Sequence, residues 1–209
     1  MQLTAKVKLT PTEAQADSLK RTLEAANSAC NFISDVAWVN RVFGKFQVQK
    51  LVYHDVKSTF DLTAQLIIRC IAKVTDAYKL DKKTKREFQP LGSIAFDSRI
   101  LSWNLDKNTV SLWTVDGRLK QLSFVCHDRS KELLSGERGE SNLCLIDGEF
   151  YLFTACEVDE PTLKDVDDFL TPLKLAMPVA ALTVPTAKTK LLSCVYRAVI
   201  PPTPIPTLP

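Results

Sequence analysis

The chain has 209 residues, 45% hydrophobic and 24% charged, with a formal charge of +3. That balance allows one domain, or two small ones, around a hydrophobic core and excludes wholesale disorder. Met1–Lys8 lacks an apolar run and no segment approaches ~18 apolar residues, so neither a secretory signal nor a membrane span is expected; the sequence reads as cytoplasmic, or nucleoid-associated if it binds DNA.

Charge is distributed unevenly. Residues 1–90 hold 15 bases against 9 acids (+6), and residues 91–156 hold 7 against 9 (−2). Residues 157–168 hold six acids and one base, while residues 169–209 hold four bases and no acid. The first 90 residues are therefore the part expected to meet a polyanion. Six cysteines are scattered without a C-x-x-C pair, which predicts reduced thiols packed as small hydrophobes rather than disulfides or a zinc site.

Residues 2–9 alternate, with Leu3, Ala5, Val7 and Leu9 on one face and Gln2, Thr4, Lys6 and Lys8 on the other, which predicts a half-buried strand. Thr10, Pro11 and Glu13 supply a cap, a first-turn proline and a capping-box acid. The stripe Leu19, Leu23, Ala26, Cys30, Ile33, Ala37 predicts one helix to about Trp38, broken by Gly44. A second helix carries Val48, Leu51, Val52 and Val56; a third starts at Thr63 with Leu66, Ile67, Cys70, Ile71 and Val74 inward.

From Gly92 the period changes to two. Alternating runs flank Asp106-Lys107-Asn108, Asp116-Gly117 and Asp147-Gly148, and Asp-Gly between such runs signals hairpins. Residues 92–158 are expected to form an antiparallel sheet of about five strands able to close into a barrel. The lone first strand needs a partner, and only this sheet offers one. The fold expected is α+β: a β-domain of residues 1–9 and 89–158 with a helical insertion at 10–88. An acidic linker (159–170) and an irregular Pro-rich tail (171–209) follow.

Eight of the eleven prolines fall after Leu170, and repeated proline forbids helix interiors and central strands. A natural linker and the product of a frameshift both fit. Its mixture of Leu, Val, Ala and Thr with Pro, free of Gly and acid, favours the frameshift.

No G-x-S-x-G, H-E-x-x-H or Walker-type loop occurs. His54 and His127 fall in different elements and read as solvated or structural. Asp165, Asp167 and Asp168 read as solvated linker rather than a metal site. The basic run is the better candidate. Lys79, Lys82, Lys83, Lys85 and Arg86 crowd the end of the third helix, with Arg69 and Lys73 one turn or more before. It fits a phosphate-contacting strip, although bases at a helix C-terminus are also favoured by the macrodipole. Tyr53 and Trp38 are candidate base-stacking groups, and Lys6 and Lys8 add bases on the first strand.

Lys8-Leu9-Thr10-Pro11-Thr12 followed by Asn27, Cys30 and Asn31 resembles the opening of TnpB proteins, the OrfB-type transposases of bacterial insertion sequences. Gly92-Ser93-Ile94-Ala95-Phe96-Asp97-Ser98-Arg99-Ile100-Leu101 and Ile146-Asp147-Gly148-Glu149-Phe150-Tyr151-Leu152 carry the same resemblance, which covers roughly residues 1–170. The family, related to type V CRISPR effectors, comprises RNA-guided DNA nucleases whose first half is a β-barrel wedge domain with an inserted helical recognition domain. The resemblance implies structured guide RNA and double-stranded DNA as partners. It also implies that helices near Tyr53 and Lys73 face the short motif beside the target while the wedge grips RNA.

The family's RuvC-type nuclease strand, with its first metal-binding Asp, should follow Phe169-Leu170. Thr171-Pro172-Leu173 stands there instead. The resemblance therefore implies no catalytic residue, magnesium site or structural zinc site in this chain. It predicts a truncated nucleic-acid binder rather than an enzyme, with self-association through the face the missing domain would cover. The alternatives are the binding subunit of a split nuclease and a stand-alone protein-interaction module.

Overall fold

The computed structural model describes residues 1–159. The tail and the acidic linker, Asp159 apart, lie outside the described residues. In chain order the elements are β1 (Gln2–Leu9), α1 (Glu13–Asn40), α2 (Lys45–Thr59), α3 (Ala64–Leu80), β2 (Ile94–Phe96), β3 (Leu101–Asn104), β4 (Thr109–Thr114), β5 (Gly117–Cys126), α4 (Asp128–Ser135), β6 (Glu137–Ile146) and β7 (Glu149–Glu157).

The strands form one antiparallel sheet in the order β2-β6-β7-β1-β5-β4-β3. Its end strands, β2 and β3, are consecutive in sequence, joined through Asp97, whose carbonyl accepts from the Leu101 N–H at 2.9 Å. The sheet thereby curls into a nearly closed barrel. The first strand sits at the centre, paired with β7 (Lys6 opposite Phe153) and with β5 (Lys8 opposite Val125). The three long helices are an insertion between β1 and β2, as the lone alternating strand requires. The segment after Gly92 holds six strands rather than about five, because the Asp97 turn separates β2 from β3.

Inside, Ala5, Val7, Leu9, Val110, Leu112, Leu122, Leu143 and Leu152 are fully or nearly fully buried and join the buried stripes of α1, α2 and α3 in one hydrophobic core. Two inward polar side chains, Ser141 and Thr154, satisfy each other at 2.9 Å. The Asp147-Gly148 hairpin has both residues at positive φ (51° and 80°), the two-residue turn that matches strand twist.

Several local expectations need correction. The cap of α1 is Thr12, not Thr10. Thr12 Oγ1 accepts from the Gln15 N–H while Gln15 Oε1 accepts from the Thr12 N–H at 3.0 Å. Thr10 is still part of the sheet, its N–H donating to Ser123 O at 2.9 Å. Helix α1 ends at Arg41 in the left-handed region (φ 54°), with the Val42 N–H reaching back to Ala37 O at 3.0 Å. Gly44 instead precedes α2 as its cap. Leu51 is exposed, because Val48, Val52 and Val56 alone form the inward stripe of α2. The residues after His127 form a further helix, α4, beyond the three expected from the sequence. His127 Nδ1 accepts from the Arg129 N–H at 3.3 Å and Leu134 is fully buried.

Candidate nucleic-acid interface

Helix α1 carries Asn27, Asn31 and Ser34 at steps of four and three, a polar row beside its apolar stripe. Asn27 Nδ2 donates to the carbonyls of Leu23 (2.9 Å), Pro90 (3.1 Å) and Gly92 (2.7 Å), and its Oδ1 accepts from Lys73 Nζ at 2.6 Å. Asn31 exchanges two bonds with the Phe88 backbone (2.9 and 2.7 Å), and Ser34 Oγ donates to Arg86 O at 2.6 Å. The row straps the connector between α3 and β2 onto α1. A Cβ on Gly92 would sit 3.1 Å from both Asn27 Oδ1 and Gln89 O, so glycine is needed there for close approach rather than for its φ.

The strap decides what the basic run can do. Lys73 is committed. Its ammonium donates to Asn27 and to Ser93 O (2.8 Å) and lies 5.1 Å from the Phe88 ring, and burial pushes its pKa down. Arg69, with its side chain 12% exposed, pairs with Glu140. Lys79 pairs with Asp76 at 2.6 Å and Lys85 with Asp35 at 2.6 Å; hydrogen bonding to Asp35 raises the Lys85 pKa. Arg86 pairs with Asp81 at 3.1 Å, and its backbone N–H donates to the buried Tyr78 hydroxyl at 3.2 Å. Only Lys82 and Lys83 of the run have an ammonium with neither an ion pair nor a hydrogen-bond partner among the described residues. On β1, Lys8 pairs with Glu149 at 2.6 Å, which holds the lysine pKa up and the glutamate pKa down, whereas Lys6 lies 4.6 Å from the Tyr151 ring centre.

Helix α2 is different. Its outward stripe Phe46, Lys50, Tyr53, Lys57 runs at steps of four, three and four, opposite Val48, Val52 and Val56. Phe46 is 79% exposed; Tyr53 is half-buried, edge-on to the exposed His54. Lys45, Lys50 and Lys57 are exposed and without an ion pair among the described residues, and Asp55 is the only acid of the helix. Arg41, just before, stands 4.0 Å over the Trp38 ring, whose aromatic neighbours are Tyr78 at 6.3 Å and Phe43 at 6.5 Å, so Trp38 is occupied.

Of this helix the sequence analysis names only Tyr53 as a candidate; Phe46, Lys50 and Lys57 stand at helical spacing from it, and Lys45 opens the helix. Helix α2 also breaks local rules: it has no side-chain cap, and Lys45 sits in the first turn, where the macrodipole disfavours a cation. Residues that lower helix stability while facing solvent point to use at the surface.

Neither comparison with protein-family models nor comparison with curated proteins gives a match for this chain. Among the described residues no group of three or more His, Cys, Asp or Glu could hold a metal ion, and no helix is long and apolar enough to cross a membrane.

Proposed function

We propose that this chain binds nucleic acid through its inserted helices, with the outward face of α2 as the principal contact. The observation that carries this is the stripe in which Lys50 and Lys57, without an ion pair among the described residues, alternate with the exposed Phe46 and with Tyr53, with Lys45 likewise unpaired at the start of the helix. Such a face offers both a phosphate neutraliser and stacking groups. Lys82 and Lys83, just after α3, supply further cations without an ion pair among the described residues. The paired cations Lys79, Lys85 and Arg86 contribute less, because an incoming phosphate must compete with a carboxylate already in place.

Structured RNA and duplex DNA are the partners that the TnpB-like order of motifs suggests, and a wedge-like barrel with a helical insertion agrees with it. On this proposal the chain is a binder, and any strand cleavage is supplied from elsewhere. Titration of the full chain with a labelled structured RNA and with a DNA duplex, each at low and moderate salt, tests it. The expected result is affinity that falls steeply as salt rises, by the counterions released. No binding to either at low salt, or binding insensitive to salt, would overturn it.

A further inference from the structure

The outer face of the barrel carries a second constellation, on strands rather than helices. Register places Ala95, Asn142, Phe153 and Lys6 in one row across β2, β6, β7 and β1. The next row holds Cys144, Tyr151 and Lys8. Tyr151 and Phe153 are half-exposed, with ring centres 6.3 Å apart at a tilt of 34°. Lys6 covers both, at 4.6 and 6.0 Å.

Beside Phe153 a groove of about 430 Å³ runs between Thr4 and Asn142. Glu140 and Asn142 also line a second groove, of about 290 Å³, that reaches Arg69 and Lys73 on α3. The two grooves thus share Glu140 and Asn142 as a common wall. Arg69 Nε is buried there without a partner, and the other end of the guanidinium is held by Glu140, whose side chain is 58% exposed. A largely solvated carboxylate thus occupies an anion position beside a largely desolvated guanidinium whose donor set is incomplete.

We propose that these two adjoining grooves bind a single-stranded stretch of nucleic acid. Two bases stack on Tyr151 and Phe153 in place of the Lys6 ammonium, Asn142 bonds a base edge or sugar, and a backbone phosphate displaces Glu140 from Arg69. Glu140 then acts as an internal stand-in for phosphate that sets the threshold for binding. Flat aromatic pairs on a sheet suit bases of any sequence, since every base has a π-face. The bidentate fork of arginine suits phosphate as well as carboxylate. The inference rests on the nucleic-acid proposal above but engages a different surface.

The test uses the full chain and a labelled short oligouridine, with thermal unfolding as the fold control. Replacing both rings, Tyr151→Leu with Phe153→Leu, is expected to weaken oligouridine binding by at least about tenfold. The ring-keeping pair Tyr151→Phe with Phe153→Tyr is expected to retain it. Glu140→Gln is expected to tighten binding several-fold and to enlarge the rise in melting temperature that the oligomer produces. Binding to the duplex through α2 is expected to be unchanged in all three variants.

Failure of the native chain to bind oligouridine while it still binds duplex overturns this site alone. So does equal binding by the double-leucine and ring-keeping pairs, or unchanged binding by Glu140→Gln. Displacement of the oligomer by an acidic peptide as readily as by unlabelled oligouridine also overturns it, in favour of a protein partner. Failure to bind any nucleic acid overturns both proposals.

Discussion

Helices α2 and α3 lie side by side in the insertion and carry similar numbers of bases, yet they use them in opposite ways. On α3 and its connector, Arg69, Lys73, Lys79, Lys85 and Arg86 each have a protein partner, and two of them, Lys73 and Arg86, are tied into the strap that fixes the connector to α1. On α2, Lys45, Lys50 and Lys57 have no ion pair among the described residues, and the helix also carries the exposed Phe46 and the half-buried Tyr53. A count of charges does not separate the two helices. What separates them is whether each cation has already exchanged water for a carboxylate or carbonyl.

The sharpest way to break the comparison is to attack the strap. Asn27→Leu leaves three carbonyls and the Lys73 ammonium without their partner, and a loss of about 2–3 kcal/mol is expected in urea unfolding. Gly92→Ala, which pushes a methyl against Asn27 and Gln89, is expected to lose about 1–2 kcal/mol. If either variant unfolds at the native urea midpoint, the strap is not what holds the connector.

A smaller effect separates the two halves of the basic run. Lys82→Ala with Lys83→Ala is expected to lower the salt slope of binding by about two while leaving stability within about 0.5 kcal/mol. Lys79→Ala with Lys85→Ala is expected to change it less, and equal slopes for the two pairs would show that the ion pairs do not shield these lysines.

The smallest effect is in acid. Asp116 accepts from Ser18 Oγ at 2.6 Å and from both terminal nitrogens of Arg21, and these bonds, that from Ser18 foremost, hold its pKa below the ordinary 3.8. A depressed carboxylate stabilises the fold above its unfolded pKa and loses that contribution as pH falls through the folded value. Asp116→Asn is therefore expected to flatten the stability profile below about pH 4 without altering nucleic-acid binding. An unchanged acid limb would remove this contact from the stability of the α1–hairpin junction.

The fold was legible wherever periodicity encodes it. Alternation in Gln2–Leu9, the stripe from Leu19 to Ala37 and the Asp-Gly turns state their own burial, and the lone first strand demanded the sheet. Elements governed by distant or one-sided partners were not legible. Asn27, Asn31 and Ser34 show a polar row on a buried face, but nothing in the spacing names Gly92, Phe88 or Arg86 as what they hold. The pairing of Lys85 with Asp35 is equally non-local, so the availability of a charge could not be read from the run Lys82–Arg86. Helix α4 was missed because its eight residues bury one side chain, Leu134, and its cap is a histidine. The α2 face is readable at helical spacing, since Phe46, Lys50, Tyr53 and Lys57 lie opposite Val48, Val52 and Val56.

The most direct measurement of the central claim is the salt dependence of duplex and structured-RNA binding for Lys45→Ala with Lys50→Ala and Lys57→Ala, set against the Lys79→Ala, Lys85→Ala pair. With stability unchanged, the α2 triple is expected to weaken low-salt affinity by about 10- to 100-fold and to reduce the slope by about three, while the paired lysines move it little. A triple variant that binds like the native chain, or a larger loss from Lys79 and Lys85, would contradict the assignment of α2 as the nucleic-acid face.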